Sequence, residues 1–232
     1  MSKRNSLYKS FIFIGKFGIP AVVIVLFVSS VKESRHIFFL LFMSAHCIAR
    51  VWETFYTTKE RKVDEFHGDW TLAWATIAYI VLCFAVIFEF YFSVGHLNYF
   101  VTTVGLGMYL FAIFMRWSGV RALGKQWAIH ALGAQKIKKV RLIKLGVYKY
   151  IRHPIYLGII FEVASIPIIS NAYLSFLFCC CVNIPLQLVR MKLEEKNNVR
   201  KLGAEYEKYM HEVNALIPFK FITKQLLKHD SR

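Results

Sequence analysis

Negative charge is scarce in this chain: 14 Asp and Glu stand against 30 Lys and Arg in 232 residues, a net charge of +16. Charge of either sign is sparse as well, at 19% of residues, where a soluble domain carries about 25%. Cysteine gives no framework. Cys47, Cys83 and the triplet Cys179-Cys180-Cys181 all lie inside apolar runs, with no Cys-x-x-Cys pair and no His at ligand spacing, so free thiols in the membrane are expected. Palmitoylation of the triplet is the alternative. No internal repeat or low-complexity segment is present. These absences exclude a disordered chain, a disulfide scaffold and a soluble α/β enzyme. What the chain has in excess is apolar surface: 56% apolar types, 16% aromatics and a mean hydropathy of +0.43. The run Trp70–Val94 holds one acid, Glu89, and no base, and about 20 apolar residues suffice to cross a bilayer. The expected fold is an all-α polytopic membrane helix bundle, since helices satisfy every backbone group internally.

Six spans are expected. The first, Phe11–Val31, follows a basic start that resembles a signal sequence but is long for one and lacks a small-residue cleavage pattern. The second covers about His36–Tyr56, the third about Trp70–Val94 and the fourth about Tyr99–Met115. The near-neutral segment Thr57–Asp69 reads as a solvated loop. Residues 116–152 then carry ten Lys or Arg and no acid, which makes this loop cytoplasmic by the positive-inside rule. In a soluble protein such charge would suggest nucleic acid; between spans, membrane orientation explains it and no nucleic-acid partner is expected. After Pro154 the apolar stretch to Val189 exceeds one span and breaks near Ile169–Ala172, giving spans five and six as a hairpin that re-emerges at Arg190. A charged helix, Leu193–Val213, follows. Both termini are then cytoplasmic. The expected organisation is a four-span region over residues 1–115 and a C-terminal region over residues 116–232, continuous as one domain.

Several polar residues have simple readings. Arg50 and Glu53 suit an intrahelical pair. Lining a cavity is one reading of His46 and Asn183; interhelical hydrogen bonds are the expected one. Glu89, near the outer end of its span, is expected to reach water. The segment Gly146–Gly158 is harder to dismiss. Interfacial anchoring accounts for its Tyr and Arg, but not for Pro154 and the two glycines. Pro154 suits the first turn of a helix, so the residues before it stand at a helix N-terminus that welcomes an anionic group. Arg190 and Glu194, four apart, share one helix face at the cytoplasmic mouth, and the hairpin returns that face beside Arg152–Tyr156. A simple (i, i+4) pair is one reading. A site for a zwitterion, its ammonium on the carboxylate and its carboxylate on N–H groups, is the other.

Arg152-His153-Pro154-Ile155-Tyr156-Leu157-Gly158, Glu194-Glu195, Leu202-Gly203-x-x-Tyr206-x-x-Tyr209 and Ile217-Pro218-Phe219, with Arg121-Ala122-Leu123-Gly124-Lys125-Gln126-Trp127 upstream, resemble the isoprenylcysteine carboxyl methyltransferase-like family of integral-membrane methyltransferases. The resemblance covers roughly residues 116–219. It implies S-adenosylmethionine as cofactor in a cytoplasm-facing pocket and a lipophilic acceptor entering from the bilayer. It also implies cofactor contacts from Tyr148, His153, Pro154, Ile155, Tyr156 and Glu194. Val140, Arg141, Leu142 and Ile143 would line the pocket, Gln135 would match a cofactor-contacting glutamine, and Arg190 would match the arginine that holds the acceptor. No metal is implied. The family often has His where Val140 stands, so a contact there is made by backbone or lost. The four N-terminal spans carry no signature.

Methyl transfer from a sulfonium needs in-line alignment and a dry site, which a membrane mouth supplies. A carboxylate acceptor needs no general base, and Arg190 would orient it. Phospholipid N-methylation is an alternative within the class, because those enzymes share similar motifs. An NADPH-dependent sterol-type membrane reductase is a second, usually with more spans. A non-enzymatic membrane protein or transporter is the third, although transporters favour repeated halves and mid-membrane polar sites.

Overall fold

A computed structural model describes residues 34–55, 70–93, 96–124 and 141–219. The chain falls into two units, Met1–Val63 and Asp64–Arg232. In the first, helix α1 spans Ser34–Phe55. It buries Phe39, Leu40, Met43, His46 and Cys47, the one-face spacing of an amphipathic helix. His46 stacks on Phe42, with ring centroids 6.2 Å apart. The expected first span, Phe11–Val31, and the side chain of Glu53 lie outside the described residues.

The second unit holds α2 (Trp70–Phe92), α3 (Tyr99–Leu123), a 3-10 turn (Gly146–Lys149), α4 (Pro154–Ile169), α5 (Tyr173–Phe178), a π-turn (Cys179–Asn183), α6 (Ile184–Leu202) and α7 (Ala204–Glu212). Among the described residues the one extended pairing is an isolated parallel bridge between Ile151 and Asn214. Three helical stretches are long and apolar enough to cross a membrane: α2, α3 and the continuous run Tyr173–Leu202. Helix α4 is apolar but has 16 residues, about 24 Å at 1.5 Å per residue. Five of the six expected spans thus coincide with helices.

The distribution of side chains is that of a bundle in lipid. On α2, Trp70, Trp74, Ile77, Val81, Phe84, Phe88 and Phe92 form an exposed stripe, while Thr71 and Glu89 are buried. Apolar groups face outward and polar ones inward, because lipid tails solvate the former and cannot hydrogen-bond the latter. Helix α3 buries Thr102, Gly105, Ala112 and Gly119, and these small residues bring it close to α4, as is usual where helices pack in a bilayer. A Cβ at Gly105 would stand 2.8 Å from the backbone nitrogen of Ile169, and one at Gly119 would stand 2.7 Å from Cγ1 of Ile155.

The turn between α4 and α5 falls at Ser170–Ala172, where the sequence predicts it. Asn171 adopts a left-handed φ of 55°, which Asn tolerates better than most residues. Its Oδ1 accepts the Asn98 amide at 2.8 Å and its Nδ2 donates to Thr102 Oγ1 at 2.9 Å. Asn98 in turn caps α3, accepting from the amides of Phe100 and Val101.

Four expectations change. Glu89 does not reach water: it is buried, and its carboxylate accepts the amides of Leu174 at 2.9 Å and Ser175 at 2.7 Å, plus the Ser175 hydroxyl at 2.7 Å. It satisfies the orphan donors at the start of α5, which water cannot reach inside a bilayer. Arg116 is not a loop residue. Helix α3 runs on to Leu123, and Arg116 Nη1 donates to Glu162 Oε2 on α4 at 2.5 Å. The charged tail is two helices rather than one over Leu193–Val213, because Gly203, with φ of 57°, ends α6. Asn183 is buried, but its Nδ2 has no hydrogen-bond acceptor among the described residues.

Candidate active site at the inner mouth of the hairpin

The site is assembled where α4 begins and α6 leaves its apolar stretch. Pro154 occupies the first turn of α4 and His153 is its N-cap, as the sequence predicts. The Leu157 amide bonds to the His153 carbonyl at 3.0 Å. The amides of Ile155 and Tyr156 belong to the first turn, where no carbonyl precedes them in the helix. On the facing α6, Arg190 and Glu194 stand one turn apart. The Tyr156 hydroxyl lies close enough to Glu194 and Arg190 for the charges of both to act on it. Arg190 is 6% exposed, and its Nη1 lies 3.5 Å from Thr71 Oγ1 at the start of α2. One carboxylate and one guanidinium of α6 thus meet one phenol of α4.

Tyr148, in the 3-10 turn before the motif, joins this group. It is buried, and burial together with the nearby Glu194 charge pushes its hydroxyl well above the usual tyrosine range. It stays a neutral donor at any physiological pH. The Tyr148 carbonyl accepts the Tyr209 hydroxyl at 2.6 Å, which fixes the turn to α7. Burial likewise raises the Tyr206 hydroxyl to about 12.

The structure also shows what sequence reasoning did not single out. Arg152 and Glu195 form a clasp beneath the site. Glu195 Oε1 accepts from Arg152 Nε at 3.0 Å and Nη2 at 2.6 Å, and lies 3.0 Å from His153 Nε2. The same arginine donates from Nη1 to the carbonyls of Met210, at 3.1 Å, and Val213. The backbone follows: the Arg152 amide bonds to the Asn214 carbonyl at 2.9 Å and the His153 amide to Ala215 at 3.0 Å. Glu195 lies on the charged part of α6 beyond Val189, outside the apolar stretch. Burial alone would raise its carboxyl, but hydrogen bonds from His153 and Arg152 outweigh that and hold it down at about 2. The adjacent acids therefore divide: Glu194 faces the Tyr156 side and Glu195 fastens the motif to the tail. Two consecutive acids point to different sides of a helix, and that was the signal available in the sequence.

The remaining expected residues are placed as follows. The side chains of Pro154 and Ile155 lie against Gly119 of α3: a Cβ there would be 3.2 Å from Pro154 Cγ and 2.7 Å from Ile155 Cγ1. Arg141, Leu142 and Ile143 run without helical structure toward the 3-10 turn, Arg141 exposed and the other two half-buried. Gln135 and Val140 lie outside the described residues. Among the described residues no three His, Cys, Asp or Glu side chains are grouped to hold a metal ion.

The donor set fits a zwitterionic cofactor of the kind the resemblance implies. First-turn amides and a neutral phenol suit a carboxylate, and Glu194 suits an ammonium or sulfonium.

Residues 105–199 match the isoprenylcysteine carboxyl methyltransferase family. A methanethiol S-methyltransferase of Crocosphaera subtropica is 40% identical over 72 residues, 31% of this chain and 27% of that protein. One from a Pseudomonas species is 30% identical over 121 residues, 52% of this chain and 45% of that protein. The chain thus spans less than half the length of these two relatives. The solved structure of the eukaryotic intramembrane Ras methyltransferase, an isoprenylcysteine carboxyl methyltransferase, superposes with a TM-score of 0.63 at 21% identity, over 94% of this chain and 87% of that one. At that identity the likeness is one of fold: a multi-pass integral membrane bundle. In the matched region, which contains Arg152–Gly158 and Glu194-Glu195, and in its fold, this chain is similar to the isoprenylcysteine carboxyl methyltransferase-like membrane proteins.

Proposed function

We propose that the protein is an S-adenosylmethionine-dependent methyltransferase acting on a lipophilic acceptor whose reacting group is anionic, a carboxylate in the first instance. The observation that carries this reading is the convergence of the Tyr156 hydroxyl, Glu194 and the buried Arg190 at the start of α4. S-adenosylmethionine supplies an electrophilic sulfonium methyl. Glu194 binds the cofactor's cationic part, with the first-turn amides of α4 and the Tyr148 hydroxyl on its carboxylate. Arg190, buried beside Thr71 and close to Tyr156, orients the acceptor anion. Its positive charge also stabilises the acceptor's ground state, so its benefit lies in alignment rather than attraction alone. The bilayer excludes water and strengthens each of these contacts.

A second reading keeps the site and changes the acceptor to a thiol. Relatives named methanethiol S-methyltransferase favour it, and a buried guanidinium beside the reacting atom would favour a thiolate as it does a carboxylate. Under either reading the site opens to the cytoplasm, with both termini on that side, since residues 116–152 are basic and free of acid. The C-terminal half supplies the cofactor pocket, and membrane lipids surround the rest.

The test is a thermal-shift titration of detergent-purified protein with S-adenosylmethionine and, separately, NADPH. Ligand at about 100 times Kd adds about 2.7 kcal/mol to the folded state. A shift with S-adenosylmethionine alone supports the reading and directs acceptor screens to lipophilic acids and thiols. A shift with NADPH alone replaces it with a reductase.

A further inference from the structure

Asn183 is a buried residue of the second unit whose chemistry the proposed site does not use and whose side-chain amide nitrogen is unsatisfied among the described residues. It is 2% exposed, and its Nδ2 has no acceptor among the described residues. A buried amide N–H without a partner costs about 1–3 kcal/mol, so it calls for an explanation such as a ligand.

Its setting is specific. Asn183 closes the π-turn Cys179–Asn183, in which the Ile184 amide reaches back to the Cys179 carbonyl. Pro185 follows and has no N–H to offer the carbonyl one turn behind it. Single π-turns inside helices recur at functional sites because they re-aim side chains. This one packs against both α2 and α4. From Asn183 onward the helix is regular, so Asn183, Gln187, Arg190 and Glu194 fall at i, i+4, i+7 and i+11, along one face. The first three are 2%, 8% and 6% exposed, whereas Pro185, Val189 and Lys192 on other faces are exposed. A line of polar side chains therefore runs inward from the cytoplasmic mouth, buried within a bundle whose outer faces are apolar. Intramembrane polar residues that face a bundle interior mark substrate paths.

We propose that this line is the wall of the acceptor channel, with Asn183 as a specificity-determining residue. Its Nδ2 donates to a second oxygen of the acceptor, a carbonyl, ether or hydroxyl. Seven residues of α-helix separate Asn183 from Arg190, which places that oxygen about 10 Å from the reacting anion. The acceptor class is thus an elongated amphiphile with an internal oxygen, rather than a bare hydrocarbon chain or a one-carbon thiol. This rests on the methyltransferase reading.

The experiment compares two probes of equal length, one all-carbon and one with a keto oxygen about 10 Å from its head, each made as a carboxylic acid and as a thiol. Methyl transfer from labelled S-adenosylmethionine is measured with the wild type, Asn183→Leu and Asn183→Ala. The wild type should prefer the keto probe. Asn183→Leu should raise KM for the keto probe roughly ten-fold, leave KM for the all-carbon probe unchanged, and keep both the S-adenosylmethionine thermal shift and the unliganded Tm, since removing an unsatisfied donor costs the fold nothing. Asn183→Ala, which adds no bulk, should behave alike. Equal effects on both probes, no effect on either, or a lower Tm in both variants would overturn the proposal while leaving the methyltransferase reading intact. Methylation of neither probe by wild type, with no S-adenosylmethionine shift, would overturn both.

Discussion

Replacing Glu195 with Gln tests whether the motif is held to the tail by charge. The substitution keeps the shape and one acceptor oxygen but removes the negative charge from a side chain that three donor nitrogens of Arg152 and His153 share. A carboxyl held at about 2 against its ordinary 4.5 corresponds to about 3 kcal/mol of preferential stabilisation of the charged form. The side chain is 14% exposed, so little of this is lost to solvent screening. For a chain of this size about 1 kcal/mol moves Tm by roughly 2–4 °C, and Glu195→Gln should lower Tm by about 6–12 °C at pH 7. The direction with pH follows from the sign of the shift. A carboxyl whose folded-state value lies below its unfolded one contributes fully above pH 4.5 and loses that contribution as pH falls toward 2. The gap between wild type and variant should therefore be full at pH 7 and less than half as large at about pH 3. Differential scanning of both detergent-purified proteins across that range reads it directly. Equal Tm values at pH 7, or a gap that does not narrow on acidification, would refute an electrostatic clasp.

Glu194→Ala should abolish the S-adenosylmethionine thermal shift while expression and unliganded Tm stay near wild type, because a half-buried residue at the mouth contributes little to bundle packing; retained affinity would remove Glu194 from the cofactor site. Arg190→Ala should spare that shift and reduce turnover at least ten-fold at saturating cofactor, about 1.4 kcal/mol, with equal loss of both marking Arg190 as structural. Glu89→Ala strips three donors at the start of α5 of their acceptor and should cost about 3 kcal/mol, measured as Tm in detergent, with S-adenosylmethionine affinity unchanged in protein that remains folded.

Much of the site was readable before any coordinates. Pro154 announces a helix start because proline's missing N–H is harmless only there, and the structure places it in the first turn of α4. Arg190 and Glu194 share a face because four residues nearly complete a helical turn. The misreadings have a common cause. Glu89 and Arg116 are ionisable residues within or beside apolar runs, and a sequence read by composition moves such residues to the nearest water. The structure instead brings Glu89 to the start of α5 and Arg116 to Glu162, partners 85 and 46 residues away. No local pattern carries a pairing of that length.

Composition and periodicity determined that the chain crosses a membrane, where its hairpin turns and which face of α6 carries charge. Those properties follow from solvation and from 3.6 residues per turn, and they act locally. Tertiary structure alone decided the division of labour between Glu194 and Glu195, the burial of Arg190 against Thr71, and the buried amide of Asn183 without a partner. Each depends on which helix happens to lie alongside, and in a bilayer that choice rests on close packing and on the need of every polar group for a partner.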